Sequence, residues 1–148
     1  MIRITKIFTF ETAHALYNYD GKCKNIHGHS YKLFVTAKGT PILDLNHKKN
    51  GMVMDFNELK EIVEKEVLQK WDHGILINNL SPHKNLGETL QKEGHKVVFC
   101  NYQPTCENML YDIAEKLKKQ FPTSVELISL KLHETENSYC EWFAEDQI

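Results

Sequence analysis

The residues best suited to chemistry crowd into the stretch CKNIHGHSYKL, residues 23–33, where a cysteine and two histidines fall within seven positions. From residue 27 the odd positions read His27, His29, Tyr31, Leu33, Val35 and Ala37. The even ones are mostly small or polar, with Phe34 the exception, which is the pattern of a half-buried strand. On such a strand His27 and His29 leave the same face about 6.5 Å apart at their Cα atoms, and both rings can lean onto one tetrahedral ion. Gly28 between them leaves space for a neighbouring backbone or a ligand. In the first segment Ile2, Ile4, Phe8 and Phe10 share even parity, interrupted by Lys6, and the same parity leads to His14. If these two strands pair, His14 is the third ligand. Three imidazoles with an open fourth position describe a catalytic zinc, Zn2+ held by His14, His27 and His29. Cys23 then has two readings. As a fourth ligand it closes a structural site; standing just off the metal it is a thiol beside positive charge, able to act as a base. Spacing leaves both open.

Other candidates are weaker when taken singly. Asp72 and His73 are adjacent after a predicted helix, where a histidine ordinarily serves the helix dipole. Glu107, early in a second helix, favours that helix's positive end. Glu134 ends an apolar strand row, an expensive place for a carboxylate unless it accepts hydrogen bonds.

The elements that must position these groups follow from periodicity. Two strands lead, and Asp55 with Glu58 three residues later reads as a capping box opening a helix over about 56–70, with Phe56, Leu59, Val63, Val67 and Trp71 on its apolar face. Residues 79–96 are polar and turn-rich and read as a surface excursion with room for a helical turn. Thr105 caps a second amphipathic helix carrying Cys106, Met109, Leu110, Ile113, Leu117 and Phe121. Two strands then flank a turn at Thr135 to Asn137, with Ile128, Leu130, Leu132 and Glu134 on one parity and His133 on the other. The order strand, strand, helix, helix, strand, strand predicts an α+β domain: a four-stranded antiparallel sheet with two helices on one face. Its two edges need covering, and oligomerisation is one remedy.

Composition bounds the rest. The 148 residues suit one domain, with 41% hydrophobic and 26% charged residues as in ordinary globular proteins. A formal charge of −2, from 18 basic and 20 acidic residues, argues against a nucleic-acid partner. Arg3 is the only arginine. The amino end is too interrupted for a signal peptide and no run is long enough for a membrane span, which predicts a cytoplasmic protein with no membrane partner. Cys23, Cys100, Cys106 and Cys140 are accordingly expected as thiols, the last three as small buried or half-buried hydrophobes.

Taken in order, FETAH at 10–14, CKNIHGH at 23–29, GMVMDF at 51–56, DHGILIN at 72–78, PTCEN at 104–108 and HETENS at 133–138 resemble the successive signatures of the 6-pyruvoyltetrahydropterin and 6-carboxytetrahydropterin synthase family. The resemblance spans almost the whole chain and implies a tunnelling fold, in which trimers close a β-barrel and two trimers stack into a homohexamer with active sites between subunits. It implies a zinc lyase in which His14, His27 and His29 hold the metal, Cys23 accepts a proton, Asp72 and His73 form its relay, Glu134 anchors the pterin ring and Glu107 lies nearby. The three residues between Cys23 and His27 resemble the 6-carboxytetrahydropterin branch of queuosine and 7-deazapurine synthesis. The implied substrate is 7,8-dihydroneopterin triphosphate, with 6-pyruvoyltetrahydropterin synthesis and a non-catalytic zinc-binding module as the alternatives. Thr12 stands where an alanine-like residue is usual, Trp71 where leucine is common, and residues 79–100 are longer than in minimal members.

Overall fold

The computed structural model describes residues 1–147. Its frame is β1 (Ile2–His14) paired antiparallel along its full length with β2 (His27–Gly39). In that register His14 faces His27 and Thr12 faces His29, so the two-residue period of each strand brings the histidines to one end of one face. Residues 22–24 form a single 3-10 turn in the connection, tied down where Leu16 N–H donates to the Cys23 carbonyl at 3.0 Å.

The sheet has six strands, not four, and it is mixed. The order is β4-β3-β1-β2-β5-β6, with β3 (Gly74–Asn78), β4 (Val97–Cys100), β5 (Val125–Thr135) and β6 (Ser138–Phe143). β3 runs parallel to β1, and β4 parallel to β3. GILIN had read only as part of a motif, because a strand covered on both faces is uniformly apolar and shows no alternation. Residues 74–77 are all buried. Leu76 enters the main core, while Ile77 and its partner Phe99 pack on the opposite face against Gly87 of α3 (His83–Lys92). A Cβ at Gly87 would come within 2.6 Å of the Phe99 ring, so glycine lets this helix settle onto the sheet. The expectation that residues 79–96 form a mere excursion, with helices on one face only, is thereby corrected. One helix covers the far end of the second face.

The main core lies on the other face, under α1 (Phe56–Val63), its continuation through a π turn at Glu64–Leu68 into α2 (Gln69–Trp71), and α4 (Cys106–Leu117). Leu59, Val63, Val67 and Trp71 recur every fourth residue and are at most 1% exposed. On a continuous α-helix that spacing precesses by about 40° per step. The wider π turn absorbs the excess and keeps all four pointing inward. Asp55 Oδ1 caps α1 by accepting from Asn57 N–H at 2.8 Å, and Thr105 Oγ1 caps α4 by accepting from Asn108 N–H at 3.2 Å. Glu58 does not close the capping box, since it pairs with Lys49.

Two irregularities shape β5. The register against β2 shifts at Thr36/Ala37, so Val125 and Leu127 are buried on one side of the shift and Leu130 and Leu132 on the other. Ile128, expected in the buried row, is the residue skipped. A second shift between His133 and Thr135 against β6 leaves Glu134 as the extra residue of a bulge, a device that re-aims one side chain. Among the described residues no helix is long and apolar enough to cross a membrane.

Candidate active site

At the paired ends of β1 and β2 three imidazoles converge. The His14 ring, 2% exposed, donates from Nδ1 to the Pro104 carbonyl at 2.6 Å, and His27 donates from Nδ1 to the Asn25 carbonyl at 2.7 Å. Carbonyl oxygens only accept, so these contacts put the proton of each neutral ring on Nδ1 and leave a lone pair on Nε2. Those two Nε2 atoms are 3.0 Å apart. With no proton between them they repel unless a cation accepts both lone pairs. The third ring agrees. His29 Nε2 is buried without a hydrogen-bond partner, 3.7 Å from Glu134 Oε1, and one nitrogen from each ring lies within 4.8 Å of the others.

Burial holds the imidazolium forms of both His14 and His29 below their ordinary range, against the pull of Glu134. The neutral form, the one that binds metals, is thereby favoured. The residues present therefore fit a divalent ion with imidazole ligands. Among the described residues, the side chains close enough together to hold one ion are the three histidines, and Cys23 is not in that group. Gly28 lies so close to β1 that a Cβ there would meet the Thr12 carbonyl at 3.3 Å, so it is the backbone, not a ligand, that needs the space.

Beside the triad a cavity of about 340 Å³ is lined by His14, Leu16, Tyr19, Cys23, Thr105, Cys106, Glu107, Glu134, Ser138, Tyr139 and Cys140. The fold thus brings together Cys23 from the 3-10 turn, Glu107 from the first turn of α4, and Glu134 from the β5 bulge. Tyr31, next on the histidine row of β2, is fully buried with a hydroxyl that meets no partner, and burial together with the Glu134 charge pushes its phenol up.

Asp72 and His73 are placed elsewhere. They form the sharp turn between α2 and β3, with His73 in the left-handed region at φ 60° and its N–H donating to the Glu11 carbonyl at 2.6 Å. Asp72 Oδ1 accepts from Glu11 N–H at 2.8 Å and Oδ2 lies 3.0 Å from His73 Nδ1. The Glu11 amide first, and the His73 ring after it, hold the Asp72 carboxyl below the ordinary carboxylate range. Thr12 anchors this turn from β1, its hydroxyl lying 3.1 Å from the Trp71 carbonyl and 3.0 Å from that of Gly74. His73 lines a second cavity with Glu11, Gly28, His29 and Ser30, and Cys23 does not. Within one chain the acid–imidazole pair is formed, but it shares no cavity with the thiol.

Sequence reasoning missed the two carbonyls that fix the tautomers, at Asn25 and Pro104. Cys106 is buried and Cys140 half-buried, as expected, but nothing in their spacing marks the two as neighbours. The proline before a capped helix was the available signal for the Pro104 carbonyl.

The sequence profile of the 6-pyruvoyl tetrahydropterin synthase family matches residues 3–145. The chain belongs to that family. Among relatives, the Haemophilus influenzae 6-carboxy-5,6,7,8-tetrahydropterin synthase is 36% identical over 143 residues, covering 96% of this chain and 99% of its own. The Rickettsia typhi protein of the same name is 28% identical, covering 95% and 99%. A 6-pyruvoyl tetrahydrobiopterin synthase of Drosophila melanogaster is 29% identical over 89% of this chain and 73% of its own. The family fold is shared with the 6-pyruvoyl tetrahydropterin synthase of Caenorhabditis elegans, at TM-score 0.68, 24% identity and 97% and 95% coverage. An uncharacterized protein of Wolinella succinogenes has it too, at TM-score 0.76, 19% identity and 97% and 98% coverage.

Proposed function

We propose that this chain is a zinc-dependent lyase, a 6-carboxy-5,6,7,8-tetrahydropterin synthase that converts 7,8-dihydroneopterin triphosphate to 6-carboxytetrahydropterin, acetaldehyde and triphosphate. The observation that carries this reading is the convergence of three imidazole nitrogens, two of them fixed as lone-pair donors by backbone carbonyls, beside a cavity that holds Cys23 and Glu134. The substrate class is supported by the near full-length similarity to the Haemophilus influenzae enzyme.

His14, His27 and His29 hold the metal, and three imidazoles with a free position suit catalytic zinc. When bound, the ion supplies Lewis acidity worth several kcal/mol toward negative charge developing on the substrate's side chain. Glu134 accepts two hydrogen bonds from the amino and N3 groups of the pterin, and Glu107 lies along the same wall. Cys23, outside the ligand set, takes the side-chain proton. His73, oriented by Asp72, carries that proton onward. Because the pair and the thiol line different cavities, His73 serves the Cys23 of a neighbouring copy. The free edges at β4 and β6 are the means by which single domains of residues 1–148 close into a barrel trimer and then a homohexamer. The enzyme works in the cytoplasm, and its product enters queuosine and 7-deazapurine synthesis.

A 6-pyruvoyltetrahydropterin synthase is the second reading, favoured by the Drosophila melanogaster relative. The two differ in carbon count. Purified protein given 7,8-dihydroneopterin triphosphate is expected to release acetaldehyde in step with triphosphate. Triphosphate without acetaldehyde transfers the chain to the second reading, and release of neither contradicts both.

A further inference from the structure

Cys106 and Cys140 take no part in the reaction as derived, yet their sulfurs lie 3.2 Å apart across α4 and β6. Both line the cavity that holds Cys23, Glu107 and Glu134. Cys106 is the first residue of α4, next to Glu107, and Cys140 faces Leu132 in the β5–β6 register, two residues before Glu134. The thiols therefore join α4, which carries Glu107, to β6, the strand paired with the one that carries Glu134.

Their surroundings make them unequal. Cys106 is buried and its sulfur also lies 3.4 Å from the Leu132 carbonyl, whereas Cys140 is partly exposed. A thiol has one proton, so Cys106 donates either to that carbonyl or to Cys140. The Cys106 contact draws the Cys140 thiol below its ordinary range while Cys106 itself is pushed up. Cys140, the more exposed of the two, is the sulfur an outside disulfide reaches first, which leaves the buried Cys106 to resolve. Closing from contact to the 2.03–2.05 Å of a disulfide requires about 1.2 Å of movement.

We propose that Cys106 and Cys140 form a dithiol–disulfide switch in the cavity wall, oxidised by a low-molecular-weight disulfide of the glutathione class. The Cys140 thiolate attacks one sulfur of that disulfide, whose S–S bond breaks and releases one glutathione thiolate, leaving a mixed disulfide on Cys140. Cys106, its proton passing to the released thiolate, attacks Cys140 Sγ and expels the second glutathione. Two protein thiols lose two electrons and one glutathione disulfide becomes two thiols. A dithiol reductant reverses both steps.

Linkage draws the amino end of α4, with Glu107, toward β6 and so toward the Glu134 bulge of its partner β5. A displacement near 1 Å among positioning groups lowers a rate by about 10²-fold. This consequence rests on the function proposed above; the linkage does not.

The test uses the full chain with its metal, equilibrated over a series of reduced to oxidised glutathione ratios, acid-trapped and digested. A peptide joining Cys106 to Cys140 is expected, with an intact mass lower by about 2 Da for the two hydrogens lost. Turnover is expected to fall about 10- to 100-fold in proportion to linkage and to return with dithiothreitol. Cys140→Ser, compared with its own untreated sample, is expected to lose no turnover, whereas Cys106→Ser, with nothing to resolve the mixed disulfide, is expected to gain one glutathione on Cys140 in place of the joined peptide. No joined peptide at any ratio overturns the proposal, and so does linkage without loss of turnover. Equal loss in both variants places the effect at Cys23 and also overturns it. If a variant does not fold, the proportion between linkage and turnover in the native chain decides. An untreated, reduced protein that does not act on 7,8-dihydroneopterin triphosphate refutes the proposed function instead, while the mass measurement still reads the linkage.

Discussion

Thr12→Val keeps the shape of a 4% exposed side chain and removes only its hydroxyl, which joins β1 to the carbonyls of Trp71 and Gly74 on either side of the Asp72–His73 turn. A single hydroxyl proton shared between two acceptors is worth about 1 kcal/mol as a hydrogen bond, and a buried carbonyl left unpaired costs about 1–3 kcal/mol more. Valine cannot satisfy either oxygen, so the expected loss is about 2 kcal/mol. For a chain of this size that is a fall of roughly 4–8 °C in Tm. Urea unfolding should report it as a lower midpoint at unchanged slope. Thr12→Ser, which restores the donor, should recover most of the loss. The turn would also loosen, so Thr12→Val should lower turnover while leaving metal content intact. If valine unfolds at the same urea concentration as threonine, or serine is as destabilised as valine, the hydroxyl does not hold this joint.

On the proposed role of Glu134, Glu134→Gln leaves one acceptor for the two pterin donors, and the loss of a charge-assisted hydrogen bond of about 1.5–3 kcal/mol should raise KM about 10- to 100-fold with metal content unchanged. His73 has a 78% exposed side chain on a left-handed backbone, a conformation asparagine tolerates, so His73→Asn should keep its Tm and lose turnover. For Asp72 the folded carboxyl titrates below its unfolded value near 3.9, so its contribution is present above about pH 4 and disappears as pH falls through the folded value. Asp72→Asn should therefore be less stable than the parent at neutral pH, with the gap between their urea midpoints closing in acid; a gap that persists unchanged at low pH contradicts the assignment.

The histidine cluster was legible because one rule, the two-residue period of a strand, fixed the face of His14, His27 and His29, and the full-length β1–β2 register aligned them. The helices were legible wherever a cap and a stripe coincided, at Asp55 and Thr105. What stayed hidden had no local signature. Ile75 to Ile77 are covered from both sides and show no alternation, and α3 starts at His83 with no side-chain cap. The bulges at Ile128 and Glu134 are set by partner strands, so counting parity along β5 alone misplaces Ile128. Cys106 and Cys140 are 34 positions apart, and only the packing of α4 on β6 makes them a pair. The Asp72–His73 contact depends on a left-handed turn that adjacency in sequence does not announce.

Metal content measured on Cys23→Ala and His27→Ala, each purified and loaded identically, bears most directly on the claim that three imidazoles hold the ion while the thiol stands free as a base. The account predicts one zinc per chain and no turnover for Cys23→Ala, and loss of both for His27→Ala. Zinc lost from Cys23→Ala would make the thiol a ligand and contradict the account.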